Sequence, residues 1–421
     1  MDILIRQATI IDPSSPFHFQ KADIFISNGK INSIGQQLSN EAEHVIDLPD
    51  LLISQGWVDL FSNFCDPGYE FKETLETGAK AAAMGGFTDV FVVPNTTPVM
   101  HSKSSVEYIV QKSKTLAVNI HPIGAITKNA EGKDLSEMYD MEQSGAVAFS
   151  DGFNAVQSSG VLLKALQYIK AVNKTIIQLP DDKSINAHGL MNEGKVSTGL
   201  GLPGKPAIAE ELMIARDIEL VKYSGSKIHF TGISTKKGIE LIKNAKADGL
   251  NVTCSVTPYH LFYCDEDLSD YDTNLKVNPP LRTSDDRKAL QQAVIDGTID
   301  CIASHHSPQD LDNKVVEFEY AKNGMIGLQT AFAMVNTILP QLTPERIVEL
   351  FSTNARNIFE LSINTIKENN PANLSLFTTK QVWVFEKKDN ASKSANSPFF
   401  GKQLTGKPFG IINKDKLFLN Q

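Results

Sequence analysis

Cysteine is scarce: there are four in 421 residues, Cys65, Cys254, Cys264 and Cys301. Widely spaced and without a CxxC pair, they cannot make the dense disulfide framework of a small secreted domain, so a reducing cytoplasm fits best. Small apolar side chains on or near strands are a better reading of them than a zinc cluster, because nothing brings two of them to metal-ligand spacing. No apolar run is long enough to span a bilayer as a helix, and no membrane partner is expected. The first residues, Met1 to Arg6, alternate in polarity like a strand and lack the basic and then apolar regions of a signal peptide. Positive charge is in deficit, with 40 Lys and Arg against 49 Asp and Glu and a formal net charge of -9. Without a basic stripe to neutralise phosphates, nucleic acid is not an expected partner. No glycine-rich dinucleotide fingerprint follows a strand, residues 198–206 lack the GxxxxGK[ST] pattern and read as a barrel loop, and no solenoid period is found.

What is present is a large apolar fraction, 41% of residues, enough to bury an extensive core. Short strand-like segments at 3–5, 22–26, 30–34 and 44–47 are separated by Gly and Asn. From residue 51 strands and amphipathic helices alternate: 88–93 and 104–113, then 119–123, 146–149, 160–172, 175–178, 207–223, 227–230, 236–248, 251–256, 285–296 and 301–303, with 325–339 and 344–351 closing the series. Repeated βα units over about 300 residues favour a closed barrel over an open sheet. Short strands return at 382–385, 410–412 and 417–419, and the Lys-, Ser- and Asn-rich segment 387–397 reads as a surface loop. The expected fold class is α/β: a (β/α)8 TIM-like barrel over residues 51–365, with a small β-sandwich module formed by both termini, 1–50 and 366–421.

Residues 58–68, Val58-Asp59-Leu60-Phe61-Ser62-Asn63-Phe64-Cys65-Asp66-Pro67-Gly68, keep the outline of a catalytic motif without its chemistry. The flanks resemble the end of the first strand in a metal-dependent cyclic amidase, where the pattern is DxHxHxRDPG. Phe61 and Asn63 stand at its two metal-binding histidines and Cys65 at its substrate-binding arginine. Other segments match in register: Gly85-Gly86-Phe87-Thr88 with Pro94-Asn95-Thr96, Ala146-Val147-Ala148-Phe149-Ser150-Asp151, and Asn192-Glu193-Gly194 with Ala209-Glu210. So do Val256-Thr257-Pro258-Tyr259-His260-Leu261, Val277-Asn278-Pro279-Pro280-Leu281-Arg282, Ser352-Thr353-Asn354-Ala355 and Lys393-Ser394-Ala395-Asn396-Ser397-Pro398-Phe399. Together they resemble a dihydroorotase of the long, bacterial type within the amidohydrolase superfamily, nearly end to end.

The resemblance implies a site at the C-terminal ends of barrel strands, where zinc held by histidines and carboxylates turns water into hydroxide. The hydroxide attacks a ring amide, and a strand-end aspartate relays the proton to the departing nitrogen. Residue by residue, this chain departs from that pattern. Phe61 has no lone pair to donate and Asn63 offers only a weak neutral carbonyl. Asp151 keeps one carboxylate of the family's SDDG segment, but Gly152 follows it. Leu179 stands at the histidine of an HCED segment, Gly232 at that of an HxCHxST segment, and His305 at the catalytic aspartate of DHAPH. Asn95 and Asn278 match substrate-binding positions, whereas Cys65 and Gln309 replace an arginine and a histidine, so an anionic ligand loses its bidentate partner. Four missing imidazoles leave nothing to offset dehydration of a divalent ion, so the expectation is no metal, no cofactor and no catalytic residue.

Several side chains carry two readings. His305 and His306 could form a relocated acid/base or metal site, but strand neighbours point to opposite faces, and retention of His306 with drift at His305 is the simpler account. Asp151, Asp181 and Asp182 could hold a cation through oxygen, or satisfy turn amides and solvent. Asn95 and Asn278 could bind a ligand or loop backbone. Cys65 could be a nucleophile, but no neighbour is evident that would lower its pKa. Functionally, the leading expectation is a non-catalytic homologue acting as a structural partner of aspartate carbamoyltransferase, a homodimer by resemblance. A hydrolase or lyase with a redesigned site using His305, Asp151 and Cys65 is the enzyme alternative. A sensor binding a pyrimidine intermediate through Asn95 and Asn278 is the third.

Overall fold

The computed structural model describes residues 1–420. Eight parallel strands, Trp57–Ser62, Phe87–Val92, Asn119–Gly124, Ala148–Phe149, Ile176–Gln178, Ile228–Phe230, Val252–Val256 and Cys301–Ile302, are hydrogen-bonded in chain order. The first and last ends meet where the Asn63 N–H donates to the His306 carbonyl at 2.8 Å. This is the expected TIM-like barrel, and its strands are short and apolar because helices cover their outer face.

The helices outside it are started by side chains. Thr74, Ser158, Thr235 and Thr283 each accept a backbone N–H three residues on, ahead of Leu75–Met84, Ser159–Ile169, Lys236–Ala247 and Ser284–Ile295. At the closing end, Met325 forms a single parallel bridge with His306, residues 328–330 turn, and the helix covers only Ala331–Ile338. Residues 198–206, expected to be loop, hold the end of a short helix, Lys195–Leu200, and a strand, Gly204–Lys205, paired with Met191–Asn192.

Both termini build a second eight-stranded sheet: Asp2–Ile11, Lys21–Ser27, Lys30–Gly35, His44–Ile46, Leu52–Gln55, Asn373–Val384, Gln403–Asn413 and Lys416–Leu419. Leu52–Gln55 lies past residue 50 yet pairs with Asp2–Ile11 on one side and Asn373–Val384 on the other. The sheet has its own isoleucine-rich core. It meets the N-terminal end of the barrel at Trp57, whose ring is 4.9 Å from both Phe332 and Phe377 and 5.3 Å from Phe351. Such tilted pairs add about 0.5–1.5 kcal/mol each beyond the area they bury.

The reading of 387–397 as a surface loop is corrected. Ser392, Ser394, Asn396 and Ser397 are buried. Ser392 bonds the Glu73 carboxylate, and the Asn396 amide donates to the carbonyls of Ser307 and Gly324 at 3.0 and 3.1 Å. Small polar side chains looked solvated in sequence, but they satisfy buried groups beside the barrel mouth.

Candidate functional site

At the C-terminal end of the barrel lies a cleft of about 300 Å³ lined by Asn63, Cys65, Tyr69, Lys72, Asn95, Phe153, Tyr259, Asn278, His305, Ser307, Gln309, Asn323 and Gly324. It brings together Asn63, Cys65, Asn95, Asn278, His305 and Gln309 from the sequence reading, and Phe61 packs directly beneath. No carboxylate lines it.

His305 forms its floor. The backbone there is left-handed, φ 45°, so the pair of histidines is separated by a twist of the chain after the strand and not by strand alternation. The His305 ring enters the mouth, stacked on Phe61 with centroids 4.5 Å apart and planes inclined by 30°. His306 turns away: its Nδ1 accepts the Gly327 N–H at 3.2 Å, and its Nε2 faces Glu73 at 3.2 Å. Burial would raise the Glu73 pKa, but His306 and hydroxyl donors outweigh it and hold the carboxyl below its usual range. Burial, with His260 and His229 nearby, pushes His305 down to about 3, so its imidazole is neutral.

The space that four imidazoles and an ion would need is filled. Phe61, fully buried, also meets Phe153 edge-on at 5.5 Å. A Cβ on Gly232 would come within 2.7 Å of His305 Cε1 and 3.0 Å of Leu179 Cδ1, and φ at Gly232 is +68°. Gly232, Leu179, Phe61 and His305 are therefore one packed unit: the missing side chain at 232 is the room His305 occupies. At Gly152 a Cβ would fall 1.7 Å from Asn95 Oδ1, so a second aspartate there is incompatible with the present Asn95. Among the described residues no three His, Cys, Asp or Glu side chains are grouped to hold a metal ion. These side chains do not fit the zinc that the family resemblance implies.

The acidic trio does not cluster as a cation site. Asp151 accepts the Thr127 N–H at 2.9 Å and the Thr127 hydroxyl at 2.5 Å, while burial raises it to about 6. Asp181 takes the Lys205 ammonium at 2.6 Å, and Asp182 accepts the Ser184 N–H at 2.9 Å. Cys65 is buried and its thiol is pushed up to about 12, opposite to what a nucleophile needs. Asn95 serves loop backbone, donating to the Asp151 carbonyl at 3.1 Å and accepting the Phe153 N–H at 3.0 Å. Asn278 presents Oδ1 to Lys205 at 2.9 Å.

Sequence reasoning missed two cations. Lys72 reaches the cleft and donates to Gln309 Oε1 at 2.9 Å, while Lys205, from the strand Gly204–Lys205, stands behind the lining and links Asp181 to Asn278. No spacing rule singles them out. The only trace of Lys72 is the aromatic pair before it, Tyr69 and Phe71, whose ring centroids lie 5.6 and 5.7 Å from its Nζ.

The Dihydro-orotase-like family model matches residues 50–238. A protein named Dihydroorotase from Syntrophus aciditrophicus (strain SB) is 38% identical over 412 residues, covering 97% of this chain and 96% of that one. The chain belongs to the dihydroorotase family. A second family member so named, from Ruminiclostridium cellulolyticum, is 40% identical over 412 residues and again covers 97% of this chain and 96% of its own. Among solved structures, the L-hydantoinase (dihydropyrimidinase) from Arthrobacter aurescens superposes with a TM-score of 0.86 over 100% of this chain and 96% of that one, at 23% identity. That likeness speaks for the fold. Among the described residues no helix is long and apolar enough to cross a membrane.

Proposed function

We propose that this dihydroorotase-family chain has lost metal-dependent hydrolysis and serves pyrimidine biosynthesis in the cytoplasm through its surface, as a homodimeric structural or regulatory partner of aspartate carbamoyltransferase. The packing of Phe61, Leu179 and Gly232 around His305 carries the first half of this reading. Without lone pairs at those positions there is no ion to lower the pKa of water, and with His305 at the aspartate position there is no carboxylate to relay its proton. The second half is supported by a whole scaffold at 38% identity to a dihydroorotase over 97% of its length, together with departures from the family pattern at Phe61, Leu179, Gly232 and His305 around the barrel mouth.

A redesigned hydrolase using His305, Asp151 and Cys65 finds less support, because the Cys65 thiol is pushed up to about 12 and both Asp151 oxygens are engaged by Thr127. Small-molecule binding does have an observation in its favour: the cleft keeps an open, polar lining.

Metal analysis of purified protein with a dihydroorotate hydrolysis assay tests the first half. The expected result is no stoichiometric zinc and no turnover, and zinc with turnover defeats the reading. Co-purification with the carbamoyltransferase of the same organism and size measurement tests the second. A shared peak is expected, whereas two independent peaks at about micromolar concentration remove the partner role.

A further inference from the structure

Two adjoining cavities, of about 120 and 370 Å³, open where the terminal sheet meets the end of the helix Leu75–Met84. Met84, Asp389 and Asn420 line both, and neither shares a residue with the cleft.

The smaller cavity has an apolar wall of Trp383, Val384, Pro408 and Met84. Val384 is 42% exposed there, and Leu419, at 38%, extends the apolar surface into the larger cavity. The Trp383 indole N–H is spent on the Gly406 carbonyl at 2.8 Å, so the residue offers a guest its ring and not its donor. Asn420 sets the polarity. Its Nδ2 donates to the carbonyls of Met84 and Pro408 at 2.8 and 2.6 Å, which uses both amide hydrogens. Oδ1 is left buried with no hydrogen-bond partner among the described residues, an acceptor that selects an N–H or O–H donor.

Charge completes the site. Lys407 lines the smaller cavity, and Lys80 and Lys388 line the larger. Lys388 is paired with Glu386 at 2.6 Å, but Lys80 and Lys407 have no carboxylate partner among the described residues. The single carboxylate in the lining, Asp389, accepts the Glu386 N–H at 3.2 Å within its own turn. The balance favours an anion.

The wall of this seam continues to the barrel mouth. Gln329 clamps it, donating to the Asp389 carbonyl at 2.8 Å and accepting the Ala391 N–H at 2.7 Å. Directly after, the Lys393 N–H donates to Glu73, the partner of His306, at 3.0 Å. Asn396 then accepts the Gln309 N–H at 3.0 Å and donates to the carbonyls of Ser307 and Gly324. One short stretch of chain is thus a wall of the seam and a support of the cleft rim.

We propose that the seam is a second binding site, for a planar ring compound bearing an N–H donor and an anionic group, and that residues 389–396 transmit its occupancy to the barrel mouth. The ring lies against Trp383, the donor meets Asn420 Oδ1, and the anion meets Lys407 and Lys80. The inference does not rest on the loss of hydrolysis, and either can fail alone.

The test uses the full-length protein with adenosine 5′-monophosphate, which has ring, amino donor and anion. Adenosine lacks the anion and inorganic phosphate lacks the ring. The chain has two tryptophans and Trp57 is sealed in the core, so a fluorescence change on titration reports Trp383. The monophosphate should produce it with a Kd below about 1 mM, adenosine should bind at least about fivefold more weakly, and phosphate at about 10 mM should do nothing. Lys407→Met weakens the monophosphate by about three- to tenfold and adenosine by less than about twofold, while Lys407→Arg keeps the preference. Trp383→Leu removes the calorimetric heat of both. Should that variant fold poorly, Lys80→Met, on the exposed rim, still weakens the monophosphate selectively. Lys72→Met, in the cleft, leaves its affinity unchanged. With the monophosphate bound, hydrogen exchange slows at the amides of Ala391, Lys393 and Gln309. No response at about millimolar concentration, an affinity indifferent to Lys407→Met or lost with Lys72→Met, an equal response to phosphate alone, or unchanged exchange at all three amides overturns the proposal.

Discussion

At the N-terminal end of the barrel, Arg356 Nη2 pairs with Asp89 Oδ2 at 2.8 Å, and His121 and Asn119 bond the other carboxylate oxygen at 2.8 and 3.0 Å. The same guanidinium donates to the Gly56 carbonyl at 2.7 Å and to Asn373 of the terminal sheet at 3.1 Å. At the C-terminal end the floor of the cleft holds a neutral imidazole, hydroxyls and carboxamides. Burial alone would raise the Asp89 pKa, but Arg356 overrides it and holds the carboxyl far below its ordinary range. His305 has no such counter-charge, so burial wins and it stays uncharged. One end answers burial by pairing charges and joins two sheets with them. The cleft floor at the other end answers it with an uncharged ring packed on Phe61, which needs no counter-charge.

Three changes probe that contrast. Arg356→Ala strands the Asp89 carboxylate, and denaturant unfolding should show a loss of about 3–5 kcal/mol. A loss under 1 kcal/mol would mean that His121 and Asn119 suffice to hold the carboxylate. At the opposite end, Gly232→Ala forces a methyl toward His305 and Leu179 in a left-handed backbone. A loss of about 1–3 kcal/mol is expected with an unchanged denaturant slope, and a neutral result would show that the mouth is loosely packed.

The third change concerns acid. His229, His260 and His305 are held down to about 3, 4 and 3 by burial. An unfolded histidine binds its proton near pH 6.5, so below that value the unfolded state binds more protons than the folded one. Stability from these groups is complete above pH 6.5 and is lost progressively as pH falls from there to about 3. Replacing His229 by Gln should lower the slope of stability against pH in that window by up to about 1.4 kcal/mol per pH unit. An unaltered slope would mean that His229 takes up its proton in the folded barrel as readily as in the unfolded chain.

Much of the fold was legible because its signals are local. Apolar runs followed by amphipathic stretches mark βα units whatever the tertiary contacts. The segment 387–397 misled because Ser and Asn look the same whether water or a buried carbonyl satisfies them. In the cleft, the sequence named Asn95 and Asn278 but left open whether they face loop or ligand. Only the packing showed Asn95 spent on backbone and Asn278 turned by Lys205.

By itself the sequence determined the barrel, the joining of its two termini in one module, and that no imidazole stands at 61, 63, 179 and 232. Those properties depend on residue identity and on periodicity along the chain. Tertiary structure alone decided that His305 packs against Gly232 and Phe61, that Lys72 brings a cation to the cleft, and that His306 turns away from it. These depend on distances between residues far apart in sequence, and such distances exist only once the barrel has closed.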